Sequence, residues 1–459
     1  MNNISCIRFP IILWGMVVFA EYLLLPTYSE VPTDTYYTSI SILMCLNLGI
    51  TTVLIHKMDG TLGTFFYAFV TFYYVFHFGQ VFMLGLFPWY DYNYVNYITT
   101  YMERSPEYLY QTINLSIHCI NFFVLGGLMN SKGINIMRMP SVKYVNIGKK
   151  LFWILFVFRI SVDTTQIILA YAFGYHATFG STIGGGIVSS LANMWYGVVP
   201  LLILEIKDRS AQKRAILYVT VYIVISMLTG NRGHQMTCLI GMAIVYLTIN
   251  NVNVKNVIKY GVFGILALYL LDFIYEMRNM GIENFLGDID GTLAALTGTN
   301  IIFETVGTFG ETIFTPFLTL QELSYQLNPF FGETFVKSLV AVVPDVTGDL
   351  KDINNEAIYQ KNLGTDFTIG GSLAGEMIYN FKEFYPLFTV AIGYFYKRLS
   401  NNVNCSLRGG RYTELLISLP VCILLLWWVR DSIGNMTRQI IWLYIIVYFL
   451  KQQTKITDE

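Results

Sequence analysis

Residues 62–87 have the sequence LGTFFYAFVTFYYVFHFGQVFMLGLF, which contains no Asp, Glu, Lys or Arg. A membrane-spanning helix needs about 20 predominantly apolar residues, so this stretch predicts a span that is long enough to tilt. Apolar blocks of similar length recur on both sides of it. Of the 459 residues, 54% are hydrophobic and only 13% are charged, roughly half the charge of a typical soluble chain. The sequence therefore predicts an all-α polytopic membrane protein.

The apolar blocks predict about twelve transmembrane helices. Their predicted bounds are 9–28, 36–55, 62–87, 108–128, 150–173, 183–205, 212–229, 235–250, 258–277, 372–396, 412–430 and 433–451. No small-residue cleavage site follows the first block, so we interpret it as a span and not as a signal peptide. Residues 1–277 thus hold nine predicted spans and residues 371–459 hold three, with one large loop at 278–370 between them.

Basic residues alternate from one predicted connection to the next. Nineteen of the 29 Lys and Arg residues fall in connections on one side. Short basic loops stay in the cytoplasm, so both termini are predicted to be cytoplasmic and the large loop extracytoplasmic. One further basic residue, Arg159, lies within a span. The basic residues left for the outer side are Arg104, Arg232, Arg278, Lys337, Lys351, Lys361, Lys382, Arg430 and Arg438.

The predicted outer loop is acidic, with 12 acidic and 4 basic residues and a net charge of −8 over residues 278–370. Its apolar stretches at 301–303 and 335–343 argue against disorder. They predict short helices that lie against the membrane surface. A loop of this length within a compact protein usually carries function.

The cysteine spacing and the net charge predict no metal site and no nucleic-acid ligand. The six cysteines show no CxxC or Cys/His spacing typical of a metal site. None of them falls in a predicted outer loop, so no disulfide framework is expected. The net charge of −1 provides no basic field for nucleic acid.

A tight turn between two predicted spans, TGNRGH at 229–234, contains Arg232 and His234. Gly230 and Gly233 let the backbone fold sharply there. The turn suits phosphate or pyrophosphate, because Arg binds such groups through paired hydrogen bonds and keeps its charge. The alternative is a polar turn whose Arg extends to the lipid headgroups. His234 titrates near neutral pH and is a candidate acid or base, or else a surface His without a role.

Three further arginines are candidates for anion binding. Arg430 and Arg438 flank the outer ends of the last two predicted spans, with Asp431 between them. These charges form either a structural ion-pair cluster or a second anion clamp. Arg278 follows the ninth predicted span close to Glu276 and has the same two interpretations.

Glu376 lies in GGSLAGE at 370–376, where the large loop is predicted to meet the tenth span. A carboxylate at a helix start is stabilised by the helix dipole. The functional alternative is a general base, or a group that positions a sugar hydroxyl.

Charged residues within the spans are the last group of candidates. Arg159 and Asp163 are four residues apart on one predicted helix and should pair. They form either a neutralised pair within the bundle or part of a proton or ion relay. Glu21 and Asp272 lie toward the outer ends of their predicted spans and are candidates to line a cavity.

Three stretches carry a resemblance to a known family. They are LTGNRGH at 228–234, FGETFVKSLVAVVP at 331–344 and GGSLAGEMIYNF at 370–381. In this order, around one large external loop, they resemble the Wzy-type O-antigen and capsule polymerases, which join bacterial oligosaccharide repeat units. The sequence departs from the family at Lys382 and Glu383, because the family often has Gly after the Asn-Phe pair.

The resemblance implies a fold similar to GT-C-type membrane glycosyltransferases and a location in the bacterial inner (plasma) membrane. It implies transfer of a glycan from undecaprenyl pyrophosphate to another lipid-linked repeat unit on the periplasmic face. The implied partners are these donor and acceptor lipids within the bilayer, with a chain-length regulator as a further candidate. No cofactor is implied, because the lipid pyrophosphate is already the activated donor.

On this hypothesis each candidate residue has a role in glycosyl transfer. One group binds the pyrophosphate and stabilises its developing charge: Arg232, Arg430, Arg438 and Arg278. Either Glu376 or His234 deprotonates the acceptor hydroxyl.

Three other functions fit parts of the sequence. The first is a flippase for lipid-linked oligosaccharides or another secondary transporter, which twelve spans would suit. Transporters, however, usually place their site near the membrane midplane between internal repeats, and this sequence has no detectable repeat. The second is an O-antigen ligase, which uses the same donor with the lipid A core as acceptor. The third is a non-enzymatic scaffold, which would not need clustered outer arginines.

Overall fold

The computed structural model describes residues 3–25, 33–130, 146–173, 187–227, 233–250, 300–325, 331–340, 342–343 and 370–456. Within these ranges the chain is helical and has no β-strand. The helices are α1 (Asn3–Leu24), α2 (Thr33–Asp59), α3 (Phe65–Leu86), α4 (Tyr97–Thr100), α5 (Pro106–Met129), α6 (Ile147–Phe173), α7 (Ile187–Glu205), α8 (Arg209–Ser226), α9 (Gly233–Asn250), α10 (Ile301–Phe309), α11 (Phe314–Tyr325), α12 (Glu333–Val340), α13 (Leu373–Phe381), α14 (Tyr385–Gly409), α15 (Tyr412–Leu426) and α16 (Ile433–Ile456).

Seven of the described helices are long and apolar enough to cross a membrane, namely α2, α3, α5, α6, α7, α15 with the 3-10 turn that follows it, and α16. The apolar parts of α1 and α9 are shorter. These helices confirm the prediction of an all-helical membrane protein in its coarse form. The number of twelve spans and the extent of the outer loop stay predictions, and the predicted span at 258–277 lies outside the described residues.

The prediction of one continuous span over 372–396 is wrong. Helix α13 ends at Phe381, a 3-10 turn covers Lys382–Phe384, and α14 begins at Tyr385. Lys382 has a φ of +46°, in the region that glycine adopts readily and other residues seldom adopt. The helix axis therefore breaks at Lys382, directly after the Asn-Phe pair at 380–381.

Helix ends that the charge pattern assigns to the cytoplasmic side contact one another in the structure. Glu205, at the end of α7, accepts a hydrogen bond from the backbone N–H of Gly148 at 2.8 Å and one from the hydroxyl of Tyr412. Lys397 on α14 forms a buried ion pair with Asp59, the last residue of α2. This arrangement supports the up-and-down order of these helices, while the side of the membrane that they face stays a prediction.

The described part of the predicted outer loop packs onto α3 at the opposite end of the bundle. Gly79 on α3 lies so close to this segment that an added Cβ would meet the carbonyl oxygen of Val306 and lie 3.0 Å from the Cα of Gly310. The two backbones are in direct contact because neither glycine carries a side chain. This contact fixes the position of Glu311, the residue that follows Gly310.

The close approach at Gly79 generates a stability prediction. We expect Gly79→Ala to destabilise the protein by about 1–3 kcal/mol, because the new methyl group would meet backbone atoms that have no rotamer to change. The measurement is the thermal unfolding midpoint of the purified protein in detergent. The control is Gly49→Ala on α2, where an added Cβ meets nothing within 4 Å. An equal effect of the two substitutions would contradict the close packing of Gly79 against Val306 and Gly310.

Candidate functional site

The turn between α15 and α16 is the centre of the candidate site. It consists of the 3-10 turn Trp427–Val429 and the three residues that follow. Gly370 and Gly371 lie directly against it, because an added Cβ would be 2.9 Å from the carbonyl oxygen of Arg430 and 2.7 Å from the backbone N of Ser432, respectively. Two of the motifs singled out in the sequence therefore meet through their backbones.

Glu376 lies at the start of α13 and stabilises the turn between α15 and α16. Its carboxylate accepts hydrogen bonds from the indole N–H of Trp428 at 2.6 Å and from the backbone N–H of Ile433 at 3.0 Å. Ile433 is the first residue of α16, and its N–H has no partner within its own helix. Glu376 thus caps α16 from a separate segment of the chain.

The environment of Glu376 is enclosed. The residue is 1% exposed and lies on α13, which is not one of the candidate spans. Burial raises the pKa of Glu376 above its usual range, and the hydrogen bonds from Trp428 and Ile433 oppose that rise. The geometry favours a positioning role for this carboxylate, and its predicted role as a general base stays a prediction.

Arg430 faces out of the same turn and pairs with Glu311. The two side chains are 29% and 28% exposed, respectively. The guanidinium carbon of Arg430 also lies 5.9 Å from the centroid of the Phe76 ring on α3. A partly exposed ion pair beside an aromatic wall can exchange one partner for an incoming anion, which a fully buried pair cannot do without a large cost.

His234 lies beneath this turn and is not exposed. It is the second residue of α9 and is 6% exposed. Its ring lies 5.8 Å from that of Trp427 and 6.2 Å from that of Tyr196, and a Cβ on Gly233 would meet the Trp427 indole. The prediction that His234 is a surface residue is therefore wrong. The turn at 229–232 lies outside the described residues, and the catalytic role of His234 stays a prediction.

Arg159 and Asp163 form the predicted pair within α6. Both residues are 3% exposed. Asp163 also accepts a hydrogen bond from the hydroxyl of Tyr222 at 2.7 Å, and the guanidinium carbon of Arg159 lies 5.1 Å from the ring centroid of Tyr196. These partners favour the interpretation of a neutralised pair that ties helices together.

The other predicted site residues are Arg438, Arg232 and Arg278. Arg438 is half-buried on α16, five residues beyond its first residue. Arg232 and Arg278 lie outside the described residues. The structure therefore gathers Arg430, Glu376 and His234 around one turn, and the roles of the other arginines stay predictions.

Sequence reasoning missed two residues that complete the site. Trp428 had a local signal, because it lies two residues before Arg430 in a pair of adjacent tryptophans. Glu311 had none beyond its place among the acidic residues of the large loop. Its partner is 119 positions away in the chain, so only the three-dimensional structure could identify the pair.

The capping role of Glu376 can be measured as stability. We expect Glu376→Ala to destabilise the protein by about 1–3 kcal/mol, because the buried N–H groups of Trp428 and Ile433 would lose their acceptor. Glu376→Gln keeps one acceptor oxygen and should cost less. The readout is thermal unfolding in detergent, with Glu383→Ala as control at an exposed carboxylate on the neighbouring 3-10 turn. Equal losses for Glu376→Ala and Glu383→Ala would refute the capping role.

No protein-family model, no curated protein and no solved structure matches this chain.

Proposed function

We propose that this protein polymerises undecaprenyl-pyrophosphate-linked oligosaccharide repeat units into O-antigen or capsule polysaccharide on the periplasmic face of the bacterial inner membrane. The observation that carries the proposal is the partly exposed side chain of Arg430, which lies beside Phe76 at a junction of separate chain segments. A guanidinium is charged at every physiological pH and binds the oxygens of a diphosphate through paired N–H groups. Arg430 thus supplies the contact that a lipid diphosphate needs.

The ion pair with Glu311 is central to the proposed mechanism. A diphosphate carries more negative charge than one carboxylate, so it replaces Glu311 as the partner of Arg430. The released Glu311 carboxylate then lies beside the bound donor and is free to accept a proton. We assign the general base to Glu311 rather than to Glu376, because Glu376 is 1% exposed and occupied by two N–H donors.

The transfer step follows from these assignments. The acceptor hydroxyl gives its proton to Glu311, and its oxygen forms a bond to the anomeric carbon of the donor. The bond between that carbon and the diphosphate oxygen breaks, and the diphosphate leaves with the electron pair. Arg430 stabilises the charge that develops on this leaving group.

Aromatic side chains form one wall of the proposed site. The rings of Phe76 and Phe309 stack at 4.9 Å, and the ring of Trp427 meets that of Phe76 edge-on at 5.7 Å. An apolar wall lowers the local dielectric constant, so the attraction between Arg430 and a diphosphate is stronger there than in water. Glu376 contributes indirectly, by holding the turn that carries Arg430.

Deletion of the gene distinguishes a polymerase from a flippase or a ligase. Without a polymerase, we expect single repeat units to remain attached to the acceptor lipid, because export and ligation still operate. Loss of a flippase or a ligase would leave no repeat unit on the surface lipid. Gel analysis of surface glycans from the deletion strain gives the answer, and a complete absence of repeat units would overturn the proposal.

The role of Arg430 is tested by substitution in the same strain. We expect Arg430→Ala to reduce polymer synthesis by about 10²–10³-fold, the usual effect of removing a group that stabilises transition-state charge. Arg430→Lys should retain part of the activity, because a point charge replaces the paired donors. Glycan chain length and the amount of protein in the membrane are measured together.

The chain offers a matched control for this experiment. Arg411 forms a similar exposed pair with Glu414, with side chains 35% and 51% exposed, at the predicted cytoplasmic end. Arg411→Ala should leave chain length unchanged. The double variant Arg430→Glu with Glu311→Arg restores an ion pair but reverses its charges. Normal polymer in that variant would mean that the pair is structural and does not bind diphosphate.

A further inference from the structure

A cavity of about 330 Å³ lies where the ends of α7, α8, α9, α14 and α15 meet. This volume is within the range of about 300–1,000 Å³ that is typical of small-molecule sites. The cavity lies at the end of the bundle that contains Glu205 and Tyr412, and the charge pattern predicts that this end faces the cytoplasm. A cavity at this level is within reach of the lipid headgroups of the cytoplasmic leaflet.

Two basic residues line the cavity where the chain passes from α7 to α8. Lys207 and Arg209 are both exposed, and none of the described residues that line the cavity is an Asp or a Glu. The two adjoining segments, 205–214 and 406–415, together contain six basic and three acidic residues. The cavity therefore has a positive potential, which favours an anion.

The three acidic residues near the cavity have hydrogen-bond donors of their own. Glu205 accepts two backbone N–H groups of α6 and the hydroxyl of Tyr412. Asp208 accepts two backbone N–H groups in the first turn of α8, and Glu414 pairs with Arg411. These donors compensate the three carboxylates, and among the described residues Arg209 forms no ion pair with any of them.

A buried amide also lines the cavity. Gln212 on α8 is 9% exposed, and its Nε2 donates a hydrogen bond to the carbonyl of Ile203 at 2.9 Å. Its side-chain oxygen forms no described hydrogen bond and can accept one from a hydroxyl group. An anion that also carries a hydroxyl would therefore match both the charge and the amide.

Apolar side chains complete the lining, among them Leu204, Ile249 and Leu415. Leu204 lies just before the end of α7, and Leu415 lies one turn inside α15, so both are on the membrane side of the basic residues. A soluble anion has no apolar part to place there, whereas a phospholipid has acyl chains directly next to its charged headgroup. Basic pockets between helices on the cytoplasmic side are typical sites for anionic lipid headgroups.

We propose that the cavity binds the headgroup of one anionic phospholipid, with phosphatidylglycerol as the preferred chemistry. The phosphate contacts Lys207 and Arg209, and a headgroup hydroxyl donates to Gln212. The acyl chains begin against Leu204 and Leu415. Because these residues lie on different helices, the bound lipid stabilises the packing of those helices. This proposal is independent of the proposed polymerase function.

The test measures thermal unfolding of the full-length protein in a neutral detergent at fixed pH and salt. The probe is dioctanoyl phosphatidylglycerol, and the comparison ligands are dioctanoyl phosphatidylcholine and glycerol 3-phosphate. We expect phosphatidylglycerol to raise the unfolding midpoint by several degrees in a saturable manner, because a ligand that binds only the folded state stabilises it. Phosphatidylcholine has no net charge and glycerol 3-phosphate has no acyl chains, so neither should give this rise at the same concentration.

Two variants and a matched control locate the binding site. The double variant Lys207→Gln with Arg209→Gln should weaken the apparent affinity for phosphatidylglycerol by about thirtyfold, because each basic residue near a lipid surface contributes about fivefold. Ile249→Trp fills part of the cavity without a change of charge and should also weaken binding. The control is Lys213→Gln with Arg214→Gln, which removes the same charge from exposed positions on α8 that do not line the cavity. It should keep the wild-type affinity.

Four outcomes would overturn the proposal. Equal midpoints with phosphatidylglycerol and phosphatidylcholine would mean that the site does not select charge. An equal rise with glycerol 3-phosphate would mean that the occupant is a soluble phosphate. Equal losses of affinity in the two double variants would mean that the lipid responds to the overall surface charge and not to the cavity. If the double variant at Lys207 and Arg209 fails to fold, the Ile249→Trp titration decides, and an unchanged affinity there counts against the site.

Discussion

The hydrogen bond between the Glu376 carboxylate and the first N–H of α16 governs the arrangement of the candidate site. Inside a helical membrane protein every backbone N–H needs an acceptor, because neither lipid nor apolar side chains can supply one. Helix α16 begins at Ile433, and its first N–H finds that acceptor 57 positions earlier in the chain. The same carboxylate binds Trp428, so the turn that carries Arg430 is held at both ends.

Close backbone contacts at glycines bring Glu311 to Arg430. Gly370 and Gly371 lie against the α15–α16 turn, and Gly310 lies against Gly79 on α3. A side chain at any of these positions would meet backbone atoms of the facing segment and push the two segments apart. The site therefore forms where chain segments pack closely with no side chain between them. This packing brings its charged residues together.

Hydropathy predicted those features that depend on the composition of a whole helix. The predicted spans 62–87 and 108–128 correspond to Phe65–Leu86 and Pro106–Met129, because a run of apolar residues is set by the bilayer alone. The break at Lys382 was not predicted, since one backbone angle leaves no trace in an average over 20 residues. Arg430 was singled out because few basic residues fall on the predicted outer side, and Glu376 because it lies where the large loop is predicted to meet a span. Glu311, in contrast, depends on a contact with a residue 119 positions away in the chain.

The two arginine ion pairs are buried to different extents, and this difference decides which pair can exchange a partner. Arg159 and Asp163 are both 3% exposed, and opening such a pair would leave an uncompensated buried charge at a cost of about 3–5 kcal/mol. The side chains of Arg430 and Glu311 are 29% and 28% exposed, and pairs with this access to water contribute about 0–1 kcal/mol. A diphosphate can therefore displace Glu311 from Arg430 at little cost but cannot displace Asp163 from Arg159. For this reason Arg430, and not the more deeply buried Arg159, is the residue that a lipid diphosphate would meet.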